Sequence, residues 1–273
     1  MMFLNLEWPA IGSYRLGCVS GTALTLMAIS EARLAILARH GRGLLADVWA
    51  FAKNPSPVAE PLAPGRTWAA LLLLLLALDM AVALGAQTVL WGAEFAGYEP
   101  PEPYESDLSV WEDLLQLVIL APILEEAIFR GWLSGKGSAL KLGLRCIVGV
   151  AIMLLGDVVL VGRVDETMAF AVWLAGLIIL FASLVLWLLN RKRESSVPDW
   201  FSRNYRLLVW GSALAFGLSH LVNYEGQIEV IDAILVLSQT VGGLILAYTR
   251  TRLGLAAAIA QHAMFNALVF AFE

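Results

Sequence analysis

Two adjacent glutamates, Glu125 and Glu126, followed four residues later by Arg130, stand in "ILEEAIFRGWL", where most other side chains belong in hydrocarbon. Two of the chain's three histidines have similar surroundings: His220 in "FGLSHLVNY", and His262 in "AAAIAQHAMFNAL" with Asn266 four residues on. A carboxylate, two imidazoles and an amide in a secluded pocket suit attack by water on a carbonyl carbon. Glu125 can take the proton from water and return it to the leaving amine. The imidazoles can hold that water directly, or Glu125, His220 and His262 can hold a divalent metal such as zinc that acidifies it. Asn266 can donate to the developing oxyanion. The chain has no HExxH helix, so a metal site has to be assembled from separate helices.

A charge in mid-membrane costs ~2.5–3.5 kcal/mol on insertion scales, so these groups need partners. Glu126 and Arg130 are four apart with the acid first, the favourable order for an ion pair on one helical face. Glu125 points about 100° away and has no local partner. Pro122 cannot donate a backbone hydrogen bond and bends its helix, opening space beside Glu125. Asp79 and Asp157, each isolated in an apolar run, are expected to bond a neighbouring helix, and Gln239 and Gln261 to link helices. Gly217, one turn before His220, lets another backbone approach closely. Counted at about 1.5 Å per residue, Glu125, His220 and His262 share one depth, so three helices can bring them to one point.

The elements that must position them are membrane helices. Of 273 residues, 59% are hydrophobic and 15% charged, against about 45–50% and about 25% in a soluble domain, and the mean hydropathy is +0.75. Runs of roughly 20 apolar residues recur along the chain and predict an all-α, polytopic transmembrane bundle of about eight spans. These are approximately Ile11–Ala32, Thr67–Trp91, Trp111–Leu133, Leu142–Val161, Met168–Asn190, Leu207–Val222, Ile228–Tyr248 and Leu253–Phe272. "NPSPVAEPLAPG", within the Gly41–Arg66 linker, is too rich in proline to span. No cleavable leader pattern precedes the first apolar run, and Cys18 and Cys146 read as small hydrophobes. A net charge of −5 without a basic stripe gives no sign of a nucleic-acid partner.

Three short motifs occur in order: EExxxR at Glu125, Glu126 and Arg130; FxxxH at Phe216 and His220; HxxxN at His262 and Asn266. In this order the chain, from about Trp111 to its C-terminus, resembles the CPBP family of intramembrane proteases. That family includes type II CAAX prenyl endopeptidases and bacteriocin-processing or self-immunity proteins. The resemblance implies an endopeptidase of a bacterial plasma membrane that cuts a membrane-associated or lipid-modified polypeptide. It implies Glu125 as catalytic base, His220 and His262 as water- or metal-holding partners, and Asn266 as oxyanion support. Glu126 belongs to the same catalytic set, with Arg130 and Phe216 in support. Residues 1–110 then form N-terminal spans and a linker, and residues 111–273 the protease core. The second motif follows the first at a wider interval than is usual in the family, because a two-helix insertion over about 138–206 intervenes. Those helices are expected to pack outside the core.

Mid-membrane Glu, Asp and His also build proton relays, so a proton-coupled transporter competes with the peptidase, as does a catalytically silent membrane scaffold. Basic connecting segments alternate with acidic ones along the chain, which puts Arg191–Arg206 in the cytoplasm and Glu94–Asp113 outside. Single cysteines introduced at 191–206 should react with an impermeant maleimide only from the cytoplasmic side, and those at 94–113 only from the outside. The opposite accessibility would reverse the orientation.

Overall fold

The computed structural model describes residues 41–57, 61–104, 106–190, 196–225 and 229–272. The expected first span, Ile11–Ala32, lies outside the described residues, as do Cys18, His40 and the side chain of Asp157. The chain divides into two units, residues 1–47 and 48–273. Of the first, residues 41–47 are described and are helical; this helix, α1, ends at residue 53.

Every further regular element among the described residues is helical: α2 (Arg66–Phe95), α3 (Val110–Leu114), α4 (Ala121–Glu125), α5 (Gly137–Leu154), α6 (Glu166–Asn190), α7 (Asp199–Ser219), α8 (Leu237–Leu253) and α9 (Leu255–Phe272). Five stretches among the described residues are long and apolar enough to cross a membrane: Arg66–Phe95, Gly137–Leu154, Glu166–Asn190, Val230–Leu253 and Leu255–Phe272. The chain is an integral, multi-pass membrane protein. Leucine-rich α2 and α6 expose many large apolar side chains, Leu73, Leu84, Phe170 and Ile178 among them. A helix that is apolar all round is stable with lipid as its outer solvent.

Two expected spans take a different form. Trp111–Leu133 lies within a helical run that changes register four times: α3, a π segment at Leu115–Leu120, α4, a second π segment at Glu126–Arg130, and a 3-10 turn at Gly131–Ser134. Leu207–Val222 falls in α7, which begins earlier, at Asp199, and carries Arg203 and Arg206 in its first half. Its last helical residue is Ser219, and His220 opens a 3-10 turn, His220–Asn223.

The core gathers α2, α7, α8, α9 and the register-changing run, with α8 packed on α2, α7 and α9. The expected boundary near residue 110 therefore leaves out α2, which packs on α8 and α9. Helices α5 and α6 pack chiefly on each other, and α5 also meets the Glu126–Ser134 turns. Gly149 and Gly176 face each other across this hairpin, where a Cβ on either would meet the other's backbone oxygen. Among the described residues one isolated antiparallel bridge joins Pro103 to Tyr224. Tyr104 N–H donates to the Asn223 carbonyl at 2.8 Å and Glu225 N–H to the Glu102 carbonyl at 2.8 Å, tying the α2–α3 loop to the chain just after His220.

Gly217 is where α7 and α8 come closest. A Cβ there would collide with the Thr240 hydroxyl on α8, in line with the close approach read from the sequence. Gly217→Ala should destabilise the protein by ~1–3 kcal/mol, the usual cost of overpacking, read as a lower midpoint in detergent thermal unfolding. Adding Thr240→Ala should recover part of the loss, since it removes the hydroxyl that the new methyl meets.

Candidate active site

The register changes in the first-motif run release backbone carbonyls that side chains from other helices then bind. In the π segment at Leu115–Leu120, Ala121 N–H donates to Gln116 O, five residues back. The next bond in that register would join residue 122 to the Leu117 carbonyl, but Pro122 has no N–H. Asn266 Nδ2–H from α9 takes that carbonyl at 2.8 Å. At the second π segment Trp132 Nε1–H donates to Ile128 O at 3.0 Å and Ser212 Oγ–H from α7 to Phe129 O at 2.5 Å. Arg250, from the last turn of α8, donates to Arg130 O at 3.1 Å and to Gly131 O at 3.5 Å. Arg250 lies between the expected spans Ile228–Tyr248 and Leu253–Phe272, where a connecting segment would leave it exposed. It is instead only 8% exposed, because α8 runs on to Leu253 and carries it inside.

The same π segment sets the charges. Arg130 and Glu126 are both fully buried and meet at 2.5 Å, as their spacing predicted. Glu126 has a second partner the sequence did not reveal, since His262 Nδ1 lies 3.1 Å from the same Oε1. Glu125, 28% exposed at its side chain, brings Oε2 to 3.8 Å from His262 Nε2, and this oxygen has no hydrogen-bond partner. The Arg130 guanidinium carbon sits 3.8 Å from the ring centroid of Phe216. Arg130 Nε and Nη2 make no hydrogen bond, so the aromatic face takes the place of an acceptor, an interaction worth about 2 kcal/mol or more when desolvated.

Phe216 connects all three motifs. Its ring lies 4.6 Å from that of His220 and 5.7 Å from that of His262, both edge-to-face. The histidine tautomers follow from their neighbours. A carbonyl only accepts, so His220 Nδ1–H donates to Phe216 O at 2.8 Å. Glu126, the carboxylate facing Arg130, likewise receives His262 Nδ1–H. In the neutral form each ring then keeps its lone pair on Nε2.

Glu125, His220, His262 and Asn266 all line one cavity of about 470 Å³, whereas Glu126 and Arg130 do not. Phe216 lines it as well. Asp79 from α2 and Gln116, Asn223 and Gln239 add polar atoms to the wall. Among the described residues no three His, Cys, Asp or Glu side chains are grouped so as to hold a metal ion. Glu125, His220 and His262 thus share a cavity without being grouped as a ligand cluster. Of the two glutamine links expected, Gln261 makes one, its Nε2–H donating to Asp79 Oδ2 at 3.1 Å, whereas Gln239 Oε1 accepts from Ser238, its neighbour on the same helix, at 2.8 Å. The Asp79–Gln261 contact was legible only as two polar residues in apolar runs, with no signal pairing them.

Residues 107–268 match the model of one protein family, described as type II CAAX prenyl endopeptidase Rce1-like. No curated protein and no solved structure matches the chain.

Arg130→Ala leaves Glu126 and His262 without their cation and exposes the Phe216 face to a void. Removing one member of a buried pair costs ~3–5 kcal/mol, so the variant should show a sharply lower folded yield in detergent size-exclusion chromatography. Yield equal to wild type would show that the pair contributes nothing to folding.

Proposed function

The chain belongs to the Rce1-like family of type II CAAX prenyl endopeptidases, and from that premise we propose that it hydrolyses a peptide bond of a membrane-associated or lipid-modified polypeptide with Glu125 as general base. The observation that carries this reading is Glu125 itself, which lines the same cavity as both histidines and has in Oε2 an acceptor without a hydrogen-bond partner. A water there can donate one hydrogen to Glu125 and its other to the Nε2 lone pair of His262 or His220. Glu125 takes the first proton as the water oxygen bonds to the carbonyl carbon, and the carbonyl π electrons move onto its oxygen. When the tetrahedral intermediate collapses, the C–N bond breaks and Glu125 returns the proton to the leaving amine.

Glu126 acts from behind. By accepting from His262 Nδ1–H it fixes the tautomer that keeps Nε2 available, and Arg130 balances its charge. Asn266 spends one amide hydrogen on the Leu117 carbonyl and has a second for the oxyanion. Ala83, Leu246, Phe265 and Val269 add apolar lining to the cavity, which suits an apolar substrate segment. We place the protein in a bacterial plasma membrane, the setting of the self-immunity proteins it resembles.

Glu125→Gln keeps the size of the side chain and removes the base. The variant should fold as well as wild type while cleavage of a membrane-anchored peptide falls about 10²–10⁴-fold. Chelation of divalent metals should leave the wild-type rate unchanged. Cleavage by Glu125→Gln at the wild-type rate would make the glutamate structural and overturn the general-base reading, whereas no cleavage by wild type would return the silent scaffold.

A further inference from the structure

Asp79 is a buried acid in the leucine-rich middle of α2, before the family-matched residues 107–268 begin. It is 5% exposed and lines the cavity that holds Glu125 and His262. An ionisable group inside a membrane helix is costly unless it has a partner or a task. Its partner is Gln261, which is fully buried and immediately precedes His262 on α9.

The geometry fixes which way the Gln261 amide points. Thr249 Oγ1, on α8, bonds Gln261 Oε1 at 2.7 Å, so the oxygen faces α8 and the NH2 faces α2, where Asp79 Oδ2 receives it at 3.1 Å. Gly242 on α8 makes room for this arrangement, since a Cβ there would lie 2.9 Å from Asp79 Oδ1. Three helices are thus joined at one residue of α9. One position later the same helix presents His262 between Glu126 Oε1 at 3.1 Å and Glu125 Oε2 at 3.8 Å. The short α9 side chains Ala257 and Ala258 pack fully buried and add no polar contact that sets rotation. The polar ties of α9 to its neighbours are those of Gln261, His262 and Asn266.

We propose that Asp79 is a positioning residue of the peptidase site: through Gln261, with Thr249 as the second anchor, it sets the rotation of α9 that holds His262 against the two glutamates. This rests on the peptidase reading given above. A misplacement on the order of 1 Å at a reacting group can cost about 10²-fold in rate, and a rotated α9 displaces His262 from the two glutamates.

The test uses the full chain in detergent and three variants: Asp79→Ala, Asp79→Asn and Gln261→Met. Each is measured for kcat and KM on a membrane-anchored peptide, for thermal midpoint, and for modification of His262 by diethyl pyrocarbonate, read by mass spectrometry. Asp79→Ala should lower kcat by about 10²-fold with KM near wild type, and His262, 5% exposed in the native protein, should become reactive. Asp79→Asn should restore most of the lost kcat and the protection, because its amide oxygen accepts the same Gln261 hydrogen. Gln261→Met removes both bonds at similar volume and should reproduce the Asp79→Ala pattern, which decides the matter where Asp79→Ala does not fold. A rise in KM at unchanged kcat would overturn the proposal in favour of direct substrate contact. A fall in midpoint with kcat and protection unchanged would overturn it in favour of a purely structural bond. Equal cleavage by wild type and Glu125→Gln would defeat the general-base reading alone, since the His262 protection pattern still reports on Asp79.

Discussion

A guanidinium with no exposed surface, Arg130, is the constraint around which this bundle is organised. In low dielectric an unpaired cation is among the most costly groups a protein can hold, so its surroundings must supply anion, acceptor and aromatic face together. Glu126 supplies the anion, Phe216 the face at 3.8 Å, and Gly243 on α8 the space, since a Cβ there would lie 3.0 Å from Arg130 Nη2. Each comes from a different place in the chain, so satisfying Arg130 obliges α7 and α8 to close on the first-motif helix. His262 then completes Glu126 from α9. The arrangement of the three motifs follows from the cost of burying one arginine.

Backbone carbonyls impose the second constraint. Irregular helix at membrane depth is tolerated only where protein, not lipid, covers the freed groups. The first-motif run leaves α-helical register twice, and Asn266, Ser212 and Arg250 bind the carbonyls Leu117, Phe129 and Arg130. An unmade bond at such a buried group costs about 1–3 kcal/mol, so these side chains stabilise the run as a set. The π segment at Glu126–Arg130 also widens the helix where adjacent glutamates must both reach one imidazole. In an unbroken α-helix, residues 125 and 126 would diverge by about 100°; here both carboxylates approach His262.

The two functions of the adjacent glutamates separate by burial. Glu126 is sealed behind His262 and Arg130, where it orients and balances charge. Glu125 borders the cavity, the position that the proposed general base requires. Among the described residues the α5–α6 hairpin contributes no side chain to the cavity lining and meets the motif helix chiefly where α5 packs on the Glu126–Ser134 turns. The wide interval between first and second motifs therefore leaves the site able to close.

What the sequence by itself determined is what local chemistry can encode. Hydrophobic runs specify membrane helices because lipid selects them residue by residue, and the Glu126–Arg130 pair is specified because four residues make one helical turn. Three motifs in order were enough to name the family to which the chain belongs. Tertiary structure alone decided how those residues meet. Nothing local says that His262 binds Glu126 as well as approaching Glu125, that Phe216 lies under Arg130, that Arg250 turns inward as a cap, or that Asp79 reaches Gln261 across 182 positions. These contacts are long-range, each set by the rotation of two helices about their own axes. That rotation is fixed only when every buried polar group in the bundle has found its partner at once.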